Sequence, residues 1–211
     1  MEVSTVATSD THGFLPDIPP CDLFLHAGDF CPTENHSIKY QYKWLRKHFC
    51  PWLNSIPAKH VVFCAGNHDF AFERPHARKI IDEYTNENVH YLQDETIKLL
   101  GLKIHGSPWT PTFFDWAFMR PDWELMPVWN KIPHTVDILM THGPQHGVLD
   151  HSRGMSVGSE SLAERLKSVE FKVHVFGHIH HCHGVTYDGK SKNVAHGYGA
   201  ENPLTLFTIE P

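Results

Sequence analysis

Short apolar runs rich in β-branched residues alternate with longer, more polar segments along the 211 residues of the chain. Runs of this length and composition predict buried β-strands. The predicted strands are Val3–Thr8, Leu23–His26, His60–Ala65, Thr96–Leu100, Leu102–His105, Val136–Thr141, Val173–Phe176, Val185–Tyr187, Lys192–Ala195 and Leu204–Ile209. Strands alternating with helical segments early in the chain, followed by a cluster of strands, predict an α/β fold of layered sheets covered by helices.

Two segments between the strands show the three- and four-residue spacing of amphipathic helices. The first covers residues 38–56, and Pro51 is expected to kink or end it. The second covers residues 161–169, and Ser161 and Glu164 are expected to form a capping box at its start. The apolar faces of both helices are predicted to belong to the core.

Composition and charge narrow the class of protein. With 41% hydrophobic and 20% charged residues, we expect one domain over residues 1–211. The formal net charge is −6 and no cluster of Lys or Arg is present, so long nucleic acid is not an expected partner, whereas bound cations would allow small anions.

The same sequence features give an expected location. The first strand begins near Val3, and no apolar run approaches the roughly 20 residues of a membrane span. The five cysteines form no CxxC pair, as suits a reducing compartment. We therefore expect a soluble, cytoplasmic protein that contacts no membrane.

Five predicted strands end in small residues that are followed by side chains able to bind a metal ion. These strand ends run into Asp10-Thr11-His12, Gly28-Asp29, Gly66-Asn67-His68-Asp69, His142-Gly143 and Gly177-His178-Ile179-His180. The carboxyl ends of strands in layered α/β folds converge on one edge, where loops can form a site. We therefore expect these side chains to lie together.

The donor types at these strand ends indicate two metal ions. Two Asp, one Asn and four or five His, with no Cys, suit Fe, Mn, Zn or Ni and exceed the needs of one ion. The Asp29 carboxylate can give one oxygen to each of two ions about 3.5–4 Å apart. Such a pair makes a hydroxide available at neutral pH.

This order of motifs resembles the calcineurin-like metallophosphoesterase superfamily, and the resemblance extends from Asp10 to the last predicted strand. It implies a four-layer αββα fold, a β-sandwich flanked by helices, in which a metal-bridging hydroxide hydrolyses a phosphate ester. It implies two divalent ions, with Mn favoured. The first metal would be held by Asp10, His12, Asp29 and His180, and the second by Asp29, Asn67, His142 and His178.

The resemblance also implies roles for the residues after Asn67. His68 is implied to be catalytic rather than a ligand, lying beside the phosphate and stabilising charge or protonating the leaving oxygen. Asp69 is implied to help orient the ring of His68. The phosphate-binding GDxxDRG motif of the protein phosphatases is replaced by Gly28-Asp29-Phe30-Cys31-Pro32, so phosphoproteins are not expected substrates.

Longer phrases resemble small metallophosphoesterase-domain-containing proteins related to class III cyclic nucleotide phosphodiesterases. These phrases are Asn88–Leu92, Gly106–Pro111, Phe113–Phe118, Trp129–Pro133, Thr141–Pro144 and Val175–His180. They imply a phosphodiesterase acting on small nucleotides, among them 2′,3′- and 3′,5′-cyclic nucleotides. Some relatives lack a ligand histidine, whereas both His178 and His180 are present here.

Three residues outside the motifs are candidates for substrate contacts. Aromatic residues crowd positions 108–129; most are expected in a buried cluster, but Phe113 and Phe114 could stack on a nucleobase. Arg153 has bidentate reach toward a phosphate, although its loop could simply be solvated. His196 is expected in a supporting or surface position.

Other functions stay open at this point. The same metals would serve a phosphomonoesterase or a nuclease. A nucleotide-binding regulatory protein with weak catalysis is the main alternative of another class. A structural metalloprotein is disfavoured, because structural zinc sites are closed and usually rich in Cys.

Overall fold

The computed structural model describes residues 2–197 and 201–211. Its strands are β1 (Val3–Thr8), β2 (Cys21–Ala27), β3 (Ala58–Cys64), β4 (Val89–Tyr91), β5 (Glu95–Leu99), β6 (Leu102–Ser107), β7 (Thr110–Pro111), β8 (Met119–Arg120), β9 (Thr135–Thr141), β10 (His151–Ser152), β11 (Met155–Ser156), β12 (Glu170–Phe176), β13 (Gly184–Val185), β14 (Ser191–Asn193) and β15 (Thr205–Ile209). Its α-helices are α1 (Ile38–Trp44), α2 (Cys50–Ser55), α3 (Pro75–Tyr84), α4 (Met126–Trp129) and α5 (Glu160–Leu166). Among the described residues, no helix is long and apolar enough to cross a membrane.

Two mixed sheets form the centre of the molecule. The first has the order β15-β1-β2-β3-β4, in which only β15 runs antiparallel to its neighbour. The second has the order β13-β14-β12-β9-β6-β5, with antiparallel pairs only at its two edges. The five strands that precede the metal-binding motifs, β1, β2, β3, β9 and β12, are therefore all inner strands with two neighbours.

Alternate strand residues point into different apolar layers, as the two-residue period of a strand requires. In β1, Val6 packs beneath α1 and α2, whereas Ala7 packs between the two sheets. Phe24 and Leu25 of β2 alternate in the same way. On the outer face of the second sheet, Leu139 packs with residues of α4 and α5. These layers confirm the predicted α/β class and the β-sandwich flanked by helices.

The ten predicted strands all overlap observed strands, and β1 matches the prediction at both ends. The overlap is a single residue at Val185–Tyr187, because β13 ends at Val185. The carbonyl of Thr186 accepts a hydrogen bond from the Gly189 amide at 2.8 Å, which closes a turn in place of extended backbone.

The predicted helix over residues 38–56 is present but changes its hydrogen-bonding pattern before Pro51. A π-helical segment, Leu45–Phe49, joins α1 to α2. Pro51 then lies in the first turn of α2, directly after the π-helical segment. The helix therefore continues past Pro51 to Ser55.

The predicted capping box of Ser161 and Glu164 is wrong by two residues. The N-cap of α5 is Ser159, whose Oγ accepts a hydrogen bond from the Leu162 amide at 2.9 Å. The Ser161 Oγ instead accepts a hydrogen bond from Trp129 Nε1 at 2.9 Å. Leu162, not Glu or Gln, stands three residues after Ser159, so Ser159 caps the helix without a capping box.

Three histidines buried in the core are expected to make the fold less stable in acid. Burial lowers the pKa of His26 and of His174 to about 3 and that of His105 to about 4. Below about pH 6.5 the histidines of the unfolded chain bind protons, whereas these buried rings stay neutral. The free energy of unfolding therefore decreases as the pH is lowered. At pH 5, linkage predicts a cost of about 2 kcal/mol for His174 alone.

Urea unfolding at pH 7 and pH 5 measures this effect. Between pH 7 and pH 5, the free energy of unfolding of His174→Gln should decrease by about 2 kcal/mol less than that of the wild type. His48→Gln, on an exposed helical surface, should lose as much as the wild type. Equal losses in all three proteins would show that His174 is not held neutral.

Candidate metal centre

The turns that follow the inner strands hold several candidate ligands in unusual backbone conformations. Asp10, His12, Asp29 and His178 have φ values of 55°, 46°, 58° and 67°. Left-handed backbone of this kind costs about 1–3 kcal/mol at each non-glycine residue and is concentrated at functional sites. The carboxyl-terminal edge of the sheets therefore has the local strain typical of a site.

Two glycines let these turns approach one another. A Cβ on Gly66 would collide with the Asp29 carboxylate and would lie 2.7 Å from His142 Cε1. A Cβ on Gly177 would collide with the Asp10 carboxylate. Glycine is thus required at both strand ends by close packing.

Asp10, His12 and His180 bring their ligand atoms within 4.8 Å of one another. His180 Nε2 lies 3.2 Å from Asp10 Oδ1 and 3.3 Å from His12 Nε2. The other Asp10 oxygen accepts a hydrogen bond from the His178 amide at 2.9 Å, which fixes the carboxylate. This group contains three of the four ligands expected for the first metal.

The Asp29 carboxylate is shared by two further groups of this kind, one with Asp10 and His142 and one with His12 and His68. Asp29 is 2% exposed, and its Oδ2 lies 3.4 Å from His142 Nε2. It is therefore grouped with ligands expected on both sides of the centre, His12 on one side and His142 on the other, as a bridging carboxylate must be; Asp10 is likewise grouped with His142.

His142 is oriented by its two ring nitrogens. Nδ1 donates to the Ala27 carbonyl at 2.8 Å, so Nε2 faces the centre, where Asn67 Oδ1 lies 2.8 Å away. Such a hydrogen bond to a backbone carbonyl is usual for metal-binding histidine. Burial opposes the charged ring, but the Asp29 and Asp10 carboxylates raise the pKa of His142 to about 9.

His178 completes the expected set of seven ligands. Its ring centroid lies 5.1 Å from that of His142 at an interplanar angle of 65°. Burial lowers the pKa of His178 to about 4, which keeps the ring neutral, as coordination requires. His178 lies outside the three groups within 4.8 Å, and its ring faces the cleft.

The centre fits a pair of divalent cations. The Asp10 and Asp29 carboxylates are buried, and the ion pairs they make in the described part of the chain are all with histidine. Burial raises the pKa of a carboxyl, yet these histidines hold the pKa of both Asp10 and Asp29 below the usual range. Buried carboxylates are normally paired or bind metals, and this oxygen and nitrogen set suits Mn, Fe, Zn or Ni.

Asp69 does not orient the ring of His68 as expected. Its Oδ2 accepts hydrogen bonds from the backbone amides of Asp29 at 2.9 Å and Gly66 at 2.7 Å, and its Oδ1 accepts one from the Cys31 amide at 2.9 Å. The carboxylate thus ties together two strand-end turns. Burial and the nearby Asp29 carboxylate raise the pKa of Asp69 to about 7.

His68 lies beside Asp29 with its ring packed on several sides. The His68 amide donates to Asp29 Oδ1 at 2.7 Å, and Nε2 lies 4.0 Å from Asp29 Oδ2. On the other side, Nδ1 lies 3.0 Å from His36 Nε2. Trp116 packs against the ring with centroids 4.5 Å apart. Sequence reasoning missed His36, because it lies in a polar loop without strand or helix spacing.

A cleft of about 660 Å³ opens over the centre. Its polar floor and apolar mouth are formed by Asp29, Asn67, His68, Pro111, Thr112, Phe113, Trp116, Ser152, Arg153, Val157, His178, Ile179, His180 and His181. The predicted substrate contacts Phe113 and Arg153 thus line this cleft. Phe114 is not among the lining residues; it is 54% exposed and packs on Trp116 with ring centroids 4.7 Å apart.

The loop that carries Arg153 is held in place from both sides. Asp150 Oδ2 accepts hydrogen bonds from the amides of Gly147 and Gly158, both at 2.9 Å. His181 Nε2 lies 2.7 Å from the His151 carbonyl. This loop is therefore built onto the edge of the cleft, with Arg153 exposed at its turn.

His196 is buried, at 4% exposure, and so does not lie on the surface. Its backbone amide donates to the Ser9 carbonyl at 2.8 Å, and its ring lies 5.4 Å from that of Phe14. The Ser9 contact places His196 behind Asp10, in a supporting position.

Similar proteins are known in animals. Metallophosphoesterase domain-containing protein 1 from Homo sapiens is 35% identical over 219 residues, which cover 90% of this chain and 64% of the human protein. UPF0046 protein C25E10.12 from Caenorhabditis elegans is 33% identical over 214 residues, which cover 90% of this chain and 73% of that protein. The chain thus spans less than two thirds of the length of the human relative.

Fold and sequence comparisons agree. The structure of TT1561 from Thermus thermophilus superposes with a TM-score of 0.58 and 14% identity, covering 100% of this chain and 99% of that chain, which shows a shared fold. The sequence profile of the calcineurin-like phosphoesterases matches residues 4–182, a range that contains the seven candidate ligands. The chain therefore belongs to the calcineurin-like phosphoesterase family.

Proposed function

We propose that this chain is a phosphodiesterase that acts on small nucleotides with the help of two divalent metal ions. The observation that carries the proposal is the position of the Asp29 carboxylate, whose oxygens lie within 4.8 Å of possible ligand atoms of His12, Asp10 and His142. When bound, the two ions would supply the Lewis acidity that activates water and the positive charge that stabilises the phosphoryl oxygens.

The chain's own residues divide this work. Asp10, His12, Asp29 and His180 would hold one ion, and Asp29, Asn67, His142 and His178 would hold the other. His68 is proposed to stay outside the ligand set, with its Nε2 turned to the cleft, and to give a proton to the leaving oxygen. Asp69 fixes the Asp29 and Gly66 turns through their backbone amides.

The shape of the cleft supports a small diester with a planar group. The metal-binding residues form a polar floor, while Phe113, Trp116 and Val157 form an apolar mouth. Arg153, the Arg that lines the cleft, can contact a phosphate oxygen in bidentate fashion. One part of the substrate would thus lie on the floor and the other against the aromatic wall.

Chelation tests the proposal. The protein should hydrolyse bis(4-nitrophenyl) phosphate and a 2′,3′- or 3′,5′-cyclic nucleotide when supplied with Mn²⁺, and excess chelator should remove this activity. An aryl phosphate monoester and short single-stranded DNA, run in parallel, measure monoesterase and nuclease activity. Activity that persists in chelator would refute the metal mechanism, and faster hydrolysis of the monoester or DNA would refute the substrate assignment.

Phe113→Ala should weaken the binding of nucleotides selectively. Loss of a stacking contact is expected to raise KM for a cyclic nucleotide by about 5- to 150-fold, because such stacking contributes about 1–3 kcal/mol. KM for a cyclic phosphate without a base, such as glycerol 1,2-cyclic phosphate, should not change. Steady-state kinetics on both substrates provide the measurement.

Two variants serve as controls. Trp123 is 76% exposed and does not line the cleft, so Trp123→Ala should behave as the wild type. Phe114→Ala should have a smaller effect than Phe113→Ala, since Phe114 packs on Trp116 rather than facing the cleft. Equal KM changes for both substrates in Phe113→Ala would argue against stacking.

A further inference from the structure

A pair of histidines lies toward the other end of the first sheet from the candidate metal centre. His60 Nδ1 and His90 Nε2 are 3.2 Å apart, and the two ring centroids are 5.4 Å apart. His60 stands near the amino end of β3, whereas Asn67 and His68 follow the carboxyl end of the same strand. The pair is therefore separate from the seven candidate ligands.

The pairing of two parallel strands brings the two rings together. Val62 of β3 lies opposite His90 of β4, and His60 precedes Val62 by two residues. Residues two apart on a strand point to the same side of the sheet. Both histidines therefore lie on the side of Val62, which packs between the two sheets. The backbone ladder of β3 and β4 thus sets the spacing of the pair.

The separation of the two nitrogens suits a shared metal ion. Nitrogens bound to one ion at about 2.0–2.1 Å lie about 2.9 Å apart at a right angle and about 3.4 Å apart at the tetrahedral angle. The observed 3.2 Å falls between these two values. Small rotations of the rings would therefore direct both lone pairs to one ion, with the hydrogen of each ring on its other nitrogen.

The two rings are accessible to an ion from solvent. Both are partly exposed, and His90 lines a groove of about 450 Å³ that residues of α3, β4 and β5 form. This groove leaves room for water molecules as the remaining ligands of an ion. Burial and the neighbouring His60 ring lower the pKa of His90, so the His90 ring is neutral, as coordination requires.

We propose that His60 and His90 form a further metal site, which binds one ion of the Zn²⁺, Ni²⁺ or Cu²⁺ class through two imidazoles. Mn²⁺ binds such ligands more weakly than these ions do, so Mn²⁺ at a concentration that fills the candidate centre should not occupy the pair. The bound ion would join β4, a three-residue edge strand, to the inner strand β3. The site is thus a metal clip at the edge of the first sheet.

Equilibrium dialysis against Ni²⁺, followed by metal analysis, measures binding at the pair. Once the candidate centre is filled with Ni²⁺, the wild type should bind one further ion, and more weakly, because the pair offers fewer protein ligands. His60→Gln and His90→Gln should each raise the dissociation constant of this ion by more than about tenfold. Loss of a group that only hydrogen-bonds to a metal ligand already costs about 10–100-fold in affinity.

The double variant distinguishes one shared ion from two separate ions. If both rings bind the same ion, the second substitution should weaken binding by less than about twofold beyond the first, because one substitution already breaks the chelate. Effects that add up would show two independent sites and overturn the proposal. His48→Gln, which removes an exposed ring from the π-helical segment, is the matched control and should bind Ni²⁺ as the wild type does.

Thermal unfolding tests whether the ion clips β4 to β3. Ni²⁺ beyond the amount that fills the candidate centre should raise the Tm of the wild type, because the ion binds the folded chain. The same addition should not raise the Tm of His60→Gln or His90→Gln, and circular dichroism before heating shows whether both are folded. A wild type that binds no further ion, folded single variants that still bind it, or a Tm gain equal in all three proteins would overturn the proposal.

Discussion

Asp29→Asn should abolish phosphodiester hydrolysis and remove bound metal. Asparagine keeps the shape of the side chain but replaces one of the two carboxylate oxygens and removes the charge that faces His142 and His12. Loss of a group that only hydrogen-bonds to a ligand already costs about 10–100-fold in metal affinity, so loss of a ligand shared by two ions should lower turnover by more than about 100-fold. Steady-state turnover and metal analysis after dialysis measure the two effects.

Asp82→Asn is the matched control, since it makes the same chemical change on the exposed surface of α3. It should keep the metal content and the turnover of the wild type. Circular dichroism should show that both variants are folded. An Asp29→Asn protein that keeps two ions and most of its activity would contradict the bridging role.

His68→Gln should lower turnover while leaving the metal content nearly intact. General acid catalysis contributes about 10²–10⁴ to a rate, and we expect a loss in this range on esters with poor leaving groups. The amide of glutamine cannot give up a proton near neutral pH, although it can still form hydrogen bonds. Rates on methyl phenyl phosphate and bound Mn²⁺ provide the measurement.

The metal content of His68→Gln distinguishes an acid from a metal ligand. The distinction is needed because His68, His12 and Asp29 form a group that could hold an ion. An exposed control, His48→Gln, should match the wild type in both measurements. Loss of one ion per chain in His68→Gln would show that His68 is a ligand and would remove it from the role of acid.

Much of the fold followed from residue patterns because its inner strands are short, rich in apolar residues and largely buried. β1 was predicted to the residue, since β-branched and small residues fill it from Val3 and a polar motif follows. Helix α3 was missed, because its apolar positions, Ala77, Ile80 and Ile81, are few among charged neighbours. Strand β4 was missed because three residues are too short to show a period.

The candidate centre was predictable because every expected ligand directly follows a strand, and strand ends converge. The positions of Asp10, Asn67 and His142 after strands therefore indicated that their side chains lie close together. His36 had no such anchor: it comes from a loop, and its contacts with His68 and Phe70 are made by the tertiary fold. Asp69 was expected to orient His68, but residues adjacent in sequence need not be joined by a side-chain hydrogen bond.

Metal stoichiometry tests the central claim most directly. Metal-free protein is dialysed against increasing Mn²⁺, and bound metal and hydrolysis of bis(4-nitrophenyl) phosphate are measured on the same samples. Two ions per chain, with activity that rises to its maximum only as the second ion binds, is the predicted result. Saturation at a single ion with full activity, or activity in the metal-free protein, would contradict it.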